Sequence, residues 1–184
     1  MSFKSLLCSA VLALLGGTVA VSAASSGSTK PKAPPPTGNR YLFIVENSLA
    51  MEKRDESTRQ TIFELINTGL KGRMLPGDTF GVWSFNSQPE TRFPMQVWDS
   101  ATRLDSATRV NLFLKDLGYR RRGNFERVWR DLQAVVASVK EVTVILLTDG
   151  SDRISGTPFD REINTAYREY GNELSAKRQP FVTA

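Results

Sequence analysis

Oxygen-bearing side chains that could bind a cation follow two apolar runs of the chain. Glu46 and Ser48 come after the run 41–45, and Asp149 comes just after the run 142–147. In α/β sheets, ligands bind beyond the carboxyl ends of the parallel strands, so we expect these three residues to share one rim. The chain contains no His, so a metal ion at this rim would be held by oxygen ligands alone.

Strand-like and helix-like segments alternate from residue 40 onward. Runs of apolar, aromatic or β-branched residues predict strands at 40–45, 79–85, 90–98, 142–147 and 180–184. Helical periodicity predicts helices within 52–71, 105–117, 125–139 and 157–174. Pro94 makes the third strand an edge strand, Asp105 or Ser106 would cap the second helix, and Asn124 would cap the third. This order predicts an α/β fold with a mostly parallel central sheet and helices on both faces.

The segment 1–23 has the parts of a secretory signal peptide. Lys4 precedes an apolar stretch, and small residues end at Ala23, where we predict cleavage. Two alternatives remain open, namely a retained single-span anchor and a lipoprotein signal at Cys8. Residues 24–39 are rich in Ser, Gly, Pro and Lys and predict an extended tether. We therefore expect an exported protein that is periplasmic, cell-surface or extracellular.

The composition is that of one folded domain, which we place at 40–184. The 184 residues are 40% hydrophobic and 23% charged, unlike a disordered chain or a multi-span membrane protein. A formal net charge of +5 is too small and dispersed to indicate nucleic-acid binding. Membrane association would require an uncleaved N-terminal segment. Cleavage would remove Cys8, the single Cys, so the domain would fold without a disulfide.

Four motifs in the same order resemble the von Willebrand factor A (vWA) domain. They are FIVENSLAM at 43–51, LPGDTFGVWSFNS at 75–87, RGNFERVWRDL at 122–132 and VILLTDGSD at 144–152. The resemblance covers essentially all of 40–184 and implies a Rossmann-like, three-layer fold. It also implies binding to other proteins through a metal-ion-dependent adhesion site (MIDAS), usually with magnesium, at the carboxyl-end rim of the sheet.

The ligands of that site can be carried over one residue at a time. The family usually has an Asp-x-Ser-x-Ser loop, a Thr before a later helix, and the Asp of a TDG turn. On this chain the loop falls on Glu46, Ser48 and Ala50, the Thr falls at or next to Gly123, and the last Asp is Asp149. Two hydroxyl ligands are missing and the glutamate would reach one methylene too far. The resemblance therefore implies a degenerate site that binds Mg²⁺ or Ca²⁺ weakly or not at all.

Three consecutive arginines, Arg120, Arg121 and Arg122, lie on the loop that should overhang Glu46 and Asp149. Two carboxylates about 4 Å apart repel each other by about 4 kcal/mol at an effective dielectric constant near 20. One hypothesis is that one of these arginines, with Arg122 as the first candidate, replaces the charge of the metal ion through forked hydrogen bonds. The alternative is that all three arginines are solvated residues of a surface loop.

The motif order, the tether and the signal peptide predict an exported, non-enzymatic protein-interaction domain, for adhesion or as a scaffold, whose partner is another protein. A second reading is a hydrolase-like enzyme that uses Glu46 and Asp149 as an acid pair, although the sequence has no His to activate a nucleophile. A third reading is a binder of anionic partners through the loop 120–122, with Arg127 and Arg130 extending the patch.

The end of the sequence raises a separate expectation. The family fold usually has a helix after its last strand, whereas this sequence stops at Ala184, inside the last predicted strand. We expect either that the sequence is a fragment of a longer protein, or that a partner covers the apolar face beside this strand.

Overall fold

The computed structural model describes residues 38–184, so the predicted signal peptide and nearly all of the tether lie outside the described residues. The strands are β1 (Arg40–Glu46), β2 (Thr79–Phe85), β3 (Pro89–Glu90), β4 (Gln96–Val97), β5 (Thr143–Thr148) and β6 (Phe181–Thr183). The helices are a 3-10 helix (Leu49–Arg54), α1 (Asp55–Asn67), the single turn α2 (Gly69–Gly72), α3 (Arg103–Leu117), α4 (Phe125–Ser138) and α5 (Asp160–Ala176). None of the helices within the described range is long and apolar enough to cross a membrane.

The six strands form one mixed sheet. Its order is β3-β2-β1-β5-β6, and β4 also pairs with β2. The central strand β1 is parallel to β2 on one side and to β5 on the other. The short strands β3, β4 and β6 pair antiparallel with their neighbours. The three long strands therefore end at the same rim, which we call the carboxyl-end rim.

Alternate side chains of β1 pack against two different layers of helices. Phe43 and Val45 belong to a core cluster with residues of α1 and α3, whereas Ile44 belongs to a cluster with residues of α4 and α5. Phe43 and Ile44 are fully buried, and burying each one stabilises the fold by about 1.5–3 kcal/mol. Helices cover both faces of the sheet, so the predicted three-layer α/β fold is confirmed.

The edge strand predicted at 90–98 is wrong in its extent. The structure has two separate two-residue strands here, Pro89–Glu90 and Gln96–Val97, and both pair with β2. Pro94 lies between them. Because proline has no N–H to donate to a strand ladder, the chain leaves the sheet in this interval and returns after it.

The predicted start of α3 is also wrong. The helix begins directly after Thr102, which is its N-cap, rather than at Asp105 or Ser106. The N–H of Ser106 already donates to the Thr102 carbonyl at 3.0 Å, so Ser106 lies inside the first turn. Asn124 caps α4 as predicted, because its side chain accepts a hydrogen bond of 3.2 Å from the backbone N–H three residues later.

The last strand departs from the parallel pattern of the long strands. β6 is antiparallel to β5, with Phe181 opposite Thr148. The chain after α5 lies beside the 3-10 helix, where the Arg54 side chain donates to the Gln179 carbonyl at 3.2 Å. Since that 3-10 helix follows the carboxyl end of β1, the strand β6 starts at the rim and runs away from it.

Gly69→Ala should destabilise the domain more than the matched variant Gly72→Ala. Both glycines have positive φ, so alanine incurs left-handed strain of about 1–2 kcal/mol at either position. At Gly69 the new Cβ would also lie 2.7 Å from the ring of the buried Trp98, whereas nothing lies within 4 Å at Gly72. Crowding of a packed core adds about 1–3 kcal/mol. Urea denaturation measures both losses, and equal losses would contradict the packing of Trp98 on this turn.

Candidate functional site

The predicted rim residues meet around one buried carboxylate. Glu46 ends β1, is 3% exposed, and follows the residue pair Val45–Leu147 of the parallel β1–β5 ladder. Its Oε1 accepts a hydrogen bond of 2.5 Å from the Ser48 hydroxyl. Its Oε2 accepts from the Thr148 hydroxyl and, at 3.1 Å, from the N–H of Asp149. We call these three hydrogen bonds the Glu46 network.

Thr148 is a member of the network that sequence reasoning did not assign. It is the last residue of β5 and is 3% exposed. Its position in the sequence could have indicated this role, because a hydroxyl residue at the end of a buried strand lies beside the end of the neighbouring parallel strand. Glu46 is the corresponding residue of β1, one place beyond the last paired residues. The glutamate side chain, which is one methylene longer than an aspartate, reaches across to β5 and accepts a hydrogen bond from the Thr148 hydroxyl.

Asp149 lies at the rim through its backbone rather than through its carboxylate. Its N–H faces Glu46, whereas its Oδ1 accepts a hydrogen bond of 2.8 Å from the N–H of Ser151. A side chain that bonds the backbone two residues later is an ordinary turn-forming aspartate. The two acids are therefore neighbours, as the sequence predicted, but the Asp149 carboxylate stabilises its own turn.

Burial raises the pKa of the Glu46 carboxyl above the ordinary glutamate value of 4.5, and the nearby Asp149 charge raises it further. The hydrogen bonds from Ser48, Thr148 and the Asp149 N–H act against this, because they stabilise the ionised form and lower the pKa. Desolvation is the largest of these effects. The folded protein therefore holds a proton on Glu46 more tightly than the unfolded chain does.

The segment between α3 and α4 lies over the end of β1. The side-chain amide of Asn47 donates to the Gly118 carbonyl at 3.1 Å and holds the start of this segment. Further along, a Cβ placed on Gly123 would lie 2.6 Å from Glu46 Oε1. Only glycine lets the backbone come this close to the carboxylate. The Thr that the family pattern has at or next to this position would not fit against Glu46 at Gly123.

The three arginines lie on this segment but not on the Glu46 network. Arg120, Arg121 and Arg122 are all exposed, and Arg121 donates to the Ser87 hydroxyl at 3.1 Å. Within residues 38–184, no ion pair or hydrogen bond joins any of their guanidinium groups to Glu46. The forked hydrogen bonds hypothesised for Arg122 are not formed among the described residues, where the carboxylate oxygens accept from the Ser48 and Thr148 hydroxyls and the Asp149 N–H.

The rim oxygens that the family pattern assigns to a metal ion are engaged in hydrogen bonds within the chain. Magnesium requires a near-octahedral shell of oxygens at about 2.0–2.1 Å. The oxygens of Glu46 and the hydroxyl of Ser48 are used within the network, Asp149 bonds its own turn, and Ala50 and Gly123 supply no side-chain oxygen. In the described part of the chain, no group of three or more Asp, Glu or Cys side chains is close enough to hold an ion.

Comparison with known proteins gives matches in structure but not in sequence. No family model matches the chain, and no curated protein matches it. It is similar to an aerotolerance-related membrane protein from Bacteroides fragilis, with 15% identity over 70% of this chain and 63% of that one and a TM-score of 0.45. It is also similar to the conserved hypothetical protein BatB from Bacteroides thetaiotaomicron, with 18% identity, 73% and 63% coverage and a TM-score of 0.46. A third similarity is to the SpRpn10 VWA domain, with 14% identity, 58% coverage of each chain and a TM-score of 0.39.

These similarities concern the course of the backbone and not the chemistry of the rim. The chain spans less than two thirds of the length of these solved proteins, at 63%, 63% and 58%. The fold is vWA-like on its own geometry. Its parallel strands β1 and β5 bring the loop after Val45 and the TDG turn at Asp149 together at the carboxyl-end rim, where the sequence motifs predicted them.

Glu46→Gln should stabilise the folded chain more at about pH 8 than at about pH 5. The raised pKa of Glu46 means that wild type loses stability as the pH rises from the ordinary value of 4.5 through the folded-state pKa. Because glutamine does not ionise, the variant does not lose this stability as the pH rises. Its amide can still accept hydrogen bonds from Thr148 and Asp149 while donating one to Ser48.

Urea denaturation of both proteins across this pH range measures the difference. The hydrogen bond from Arg59 lowers the pKa of Asp55. The stability that the Asp55 carboxylate contributes is therefore lost as the pH falls through its folded-state pKa. This loss is the same in both proteins and cancels in the comparison. A stability difference that stays constant with pH, or that grows as the pH falls, would contradict a buried Glu46 with a raised pKa.

Proposed function

We propose that this chain is an exported, non-enzymatic protein-interaction domain of the vWA type, whose rim binds its partner without a metal ion. The observation that carries the proposal is the Glu46 network. It occupies both oxygens of the acid at the metal position with donors from the chain itself. The rim is therefore organised before any ion or partner arrives.

The same network weighs against the hydrolase-like reading. A general acid or base must contact the proton that it transfers. Glu46 is 3% exposed, lies under the backbone of Gly123, and has no oxygen without a donor. Asp149 is bound to its own turn, and the sequence has no His to complete a nucleophile–base pair. The rim is thus better suited to contact than to proton transfer.

The surface around the closed network has the side chains of a protein interface. Leu49 and Ala50 are both exposed at the start of the 3-10 helix, directly after Ser48. The exposed arginines 120–122 lie beside them, because the N–H of Leu49 donates to the Arg121 carbonyl at 2.9 Å. Arginine is among the residue types enriched in the hot spots of protein interfaces, and the exposed leucine beside the arginines offers apolar area that a partner could bury.

The export part of the proposal rests on the sequence. The segment 1–23 has the pattern of a cleaved signal peptide, and residues 24–39 have the composition of a spacer, which would span at most about 53–58 Å. A domain on such a spacer would meet its partner in the periplasm, at the cell surface or outside the cell.

Adding Mg²⁺ or Ca²⁺ to the purified full chain should leave its melting temperature unchanged beyond the effect of ionic strength. An ion that binds only the folded state at about one hundred times its Kd would add about 2.7 kcal/mol of stability. Thermal unfolding in MgCl₂ or CaCl₂, compared with NaCl of matched ionic strength, measures this. A saturable rise with either divalent ion would overturn the metal-free rim.

Leu49→Glu should abolish partner capture, whereas Leu75→Glu should leave it intact. The two leucines are similarly exposed, at 56% and 60%, but Leu49 follows the carboxyl end of β1 and Leu75 precedes the start of β2. A buried charge at the centre of an interface costs several kcal/mol. The measurement is affinity capture by the full chain from extracts of the organism that produces it, with and without EDTA.

The control pair separates a rim interface from general stickiness. Equal capture by both variants, or equal loss in both, would place the partner surface away from the rim. Loss of capture in EDTA would show that a metal ion takes part and would contradict the proposed mechanism.

A further inference from the structure

The layer of helices that contains α4 and α5 leaves a groove with an apolar lining, which we call the apolar groove. It has a volume of about 780 Å³ and lies between α4, the start of β5, the end of β6 and the segment that leads into α5. Its floor consists of buried core side chains, namely Phe125, Leu132, Leu146 and Ile154. A cavity of this size has room for several side chains of a binding partner.

Two large apolar side chains of the groove are exposed to solvent. Phe159, just before α5, is 63% exposed, and Val136 of α4 is 47% exposed. Single exposed hydrophobic residues are normal on a protein surface. These two instead adjoin the same apolar lining, and a contiguous apolar surface of this kind marks a site of association.

The segment that carries Phe159 is held by hydrogen bonds and packing. The Asp160 carboxylate accepts from the N–H of Gly156 at 2.7 Å and from the N–H and the hydroxyl of Thr157, each at 2.8 Å. The backbone of Gly156 packs on the indole of Trp129, where an added Cβ would lie 2.7 Å from Nε1. Phe159 is therefore presented on a preorganised turn, which lowers the entropic cost of binding.

The lining of the groove carries no charged side chain among the described residues, although 23% of the chain is charged and its formal net charge is +5. In a two-fold symmetric dimer the same patch of both copies meets, so a charge near the axis faces its own like charge. An uncharged patch avoids this repulsion, and burial of its apolar area opposes the general repulsion between two positive chains. A surface for a different protein is under no such restriction, because that partner can supply opposite charges.

The groove also contains both parts of a self-complementary contact. The exposed ring of Phe159 lies on the same patch as the apolar floor. A two-fold axis beside this patch would place each ring over the floor of the other copy, so that one favourable contact is made twice. Aromatic residues are enriched at protein interfaces, and the interfaces of homodimers are more apolar than those of other complexes.

We propose that the apolar groove binds a second copy of this chain, with Phe159 of each copy inserted into the groove of the other. The inference goes beyond the proposed function, because none of the residues assigned to the rim lines this groove. The dimer carries two rims, which raises the apparent affinity for a multivalent partner through avidity.

The test is sedimentation velocity of the full chain at concentrations of about 1–200 µM. We expect a reversible monomer–dimer equilibrium with a Kd on the order of 10 µM. Because the groove is uncharged and the chains are positive, added NaCl should leave this association unchanged or strengthen it. A chain that stays monomeric over the whole range, or an association that NaCl weakens, would overturn the proposal.

Matched variants locate the contact. Phe159→Glu should weaken the association at least about tenfold, whereas Tyr170→Glu should change it less than about threefold. Both aromatic residues are more than half exposed, at 63% and 53%, and Tyr170 lies within α5 but does not line the groove. A negative charge at position 159 lies beside the N-terminus of α5, where it is compatible with the helix. Val136→Glu on α4 should weaken the association as well, and it repeats the test if the turn is disturbed.

Equal association of the Phe159→Glu and Tyr170→Glu variants would assign the contact to another surface, such as the apolar segment 5–22, and would overturn the proposal. The dimer and the rim function can fail separately. If Leu49→Glu abolishes partner capture while the unmodified chain stays monomeric, the rim function stands and the dimer inference fails.

Discussion

The buried carboxylate of Glu46 is the constraint on which the rest of the rim depends. A carboxylate taken out of water at 3% exposure is costly unless donors replace its hydration. Here the donors come from the ends of two strands. Ser48 follows β1, Thr148 is the last residue of β5, and Asp149 comes directly after it. Satisfying this one group therefore fixes the positions of both strand ends. The backbone at Gly123 then packs directly on the carboxylate, which fixes the segment above them as well.

The glutamate at position 46 is one difference between this rim and the one that the vWA resemblance implies. Glu46 and Thr148 end the neighbouring strands β1 and β5, so a side chain must span the space between these strands to join them. The glutamate crosses that space and bonds Thr148 directly. A hydrogen bond to an ionised group is worth about 1.5–3 kcal/mol, and it needs no ion from solution. Ala50 supplies no side-chain oxygen, and a Cβ at Gly123 would lie 2.6 Å from Glu46 Oε1.

The sequence predicted the parts of this arrangement that follow from local pattern. The Asn124 cap was predicted correctly because it depends on a short local motif. The contact of Glu46 with the TDG turn was predicted correctly because parallel strands end at the same rim. The role of Thr148 could not be predicted from the sequence, since it depends on how far the Glu46 side chain reaches from β1 to β5. The direction of β6 was missed for a similar reason. It is set by where α5 ends against the 3-10 helix, a contact between segments that are 125 residues apart.

Under the proposed function, a rim closed by its own hydrogen bonds recognises its partner differently from a metal rim. A divalent ion supplies a strong, directional attraction for any oxygen ligand, so shape around it matters less. Without the ion, attraction falls to exposed guanidinium groups, whose interactions with a partner acid are screened by salt over about 8–10 Å. Arg121 has a left-handed backbone conformation, and its guanidinium donates to the Ser87 hydroxyl at 3.1 Å. Binding of the proposed kind would therefore depend on ionic strength rather than on a divalent ion, and the geometry of the loop would contribute to its specificity.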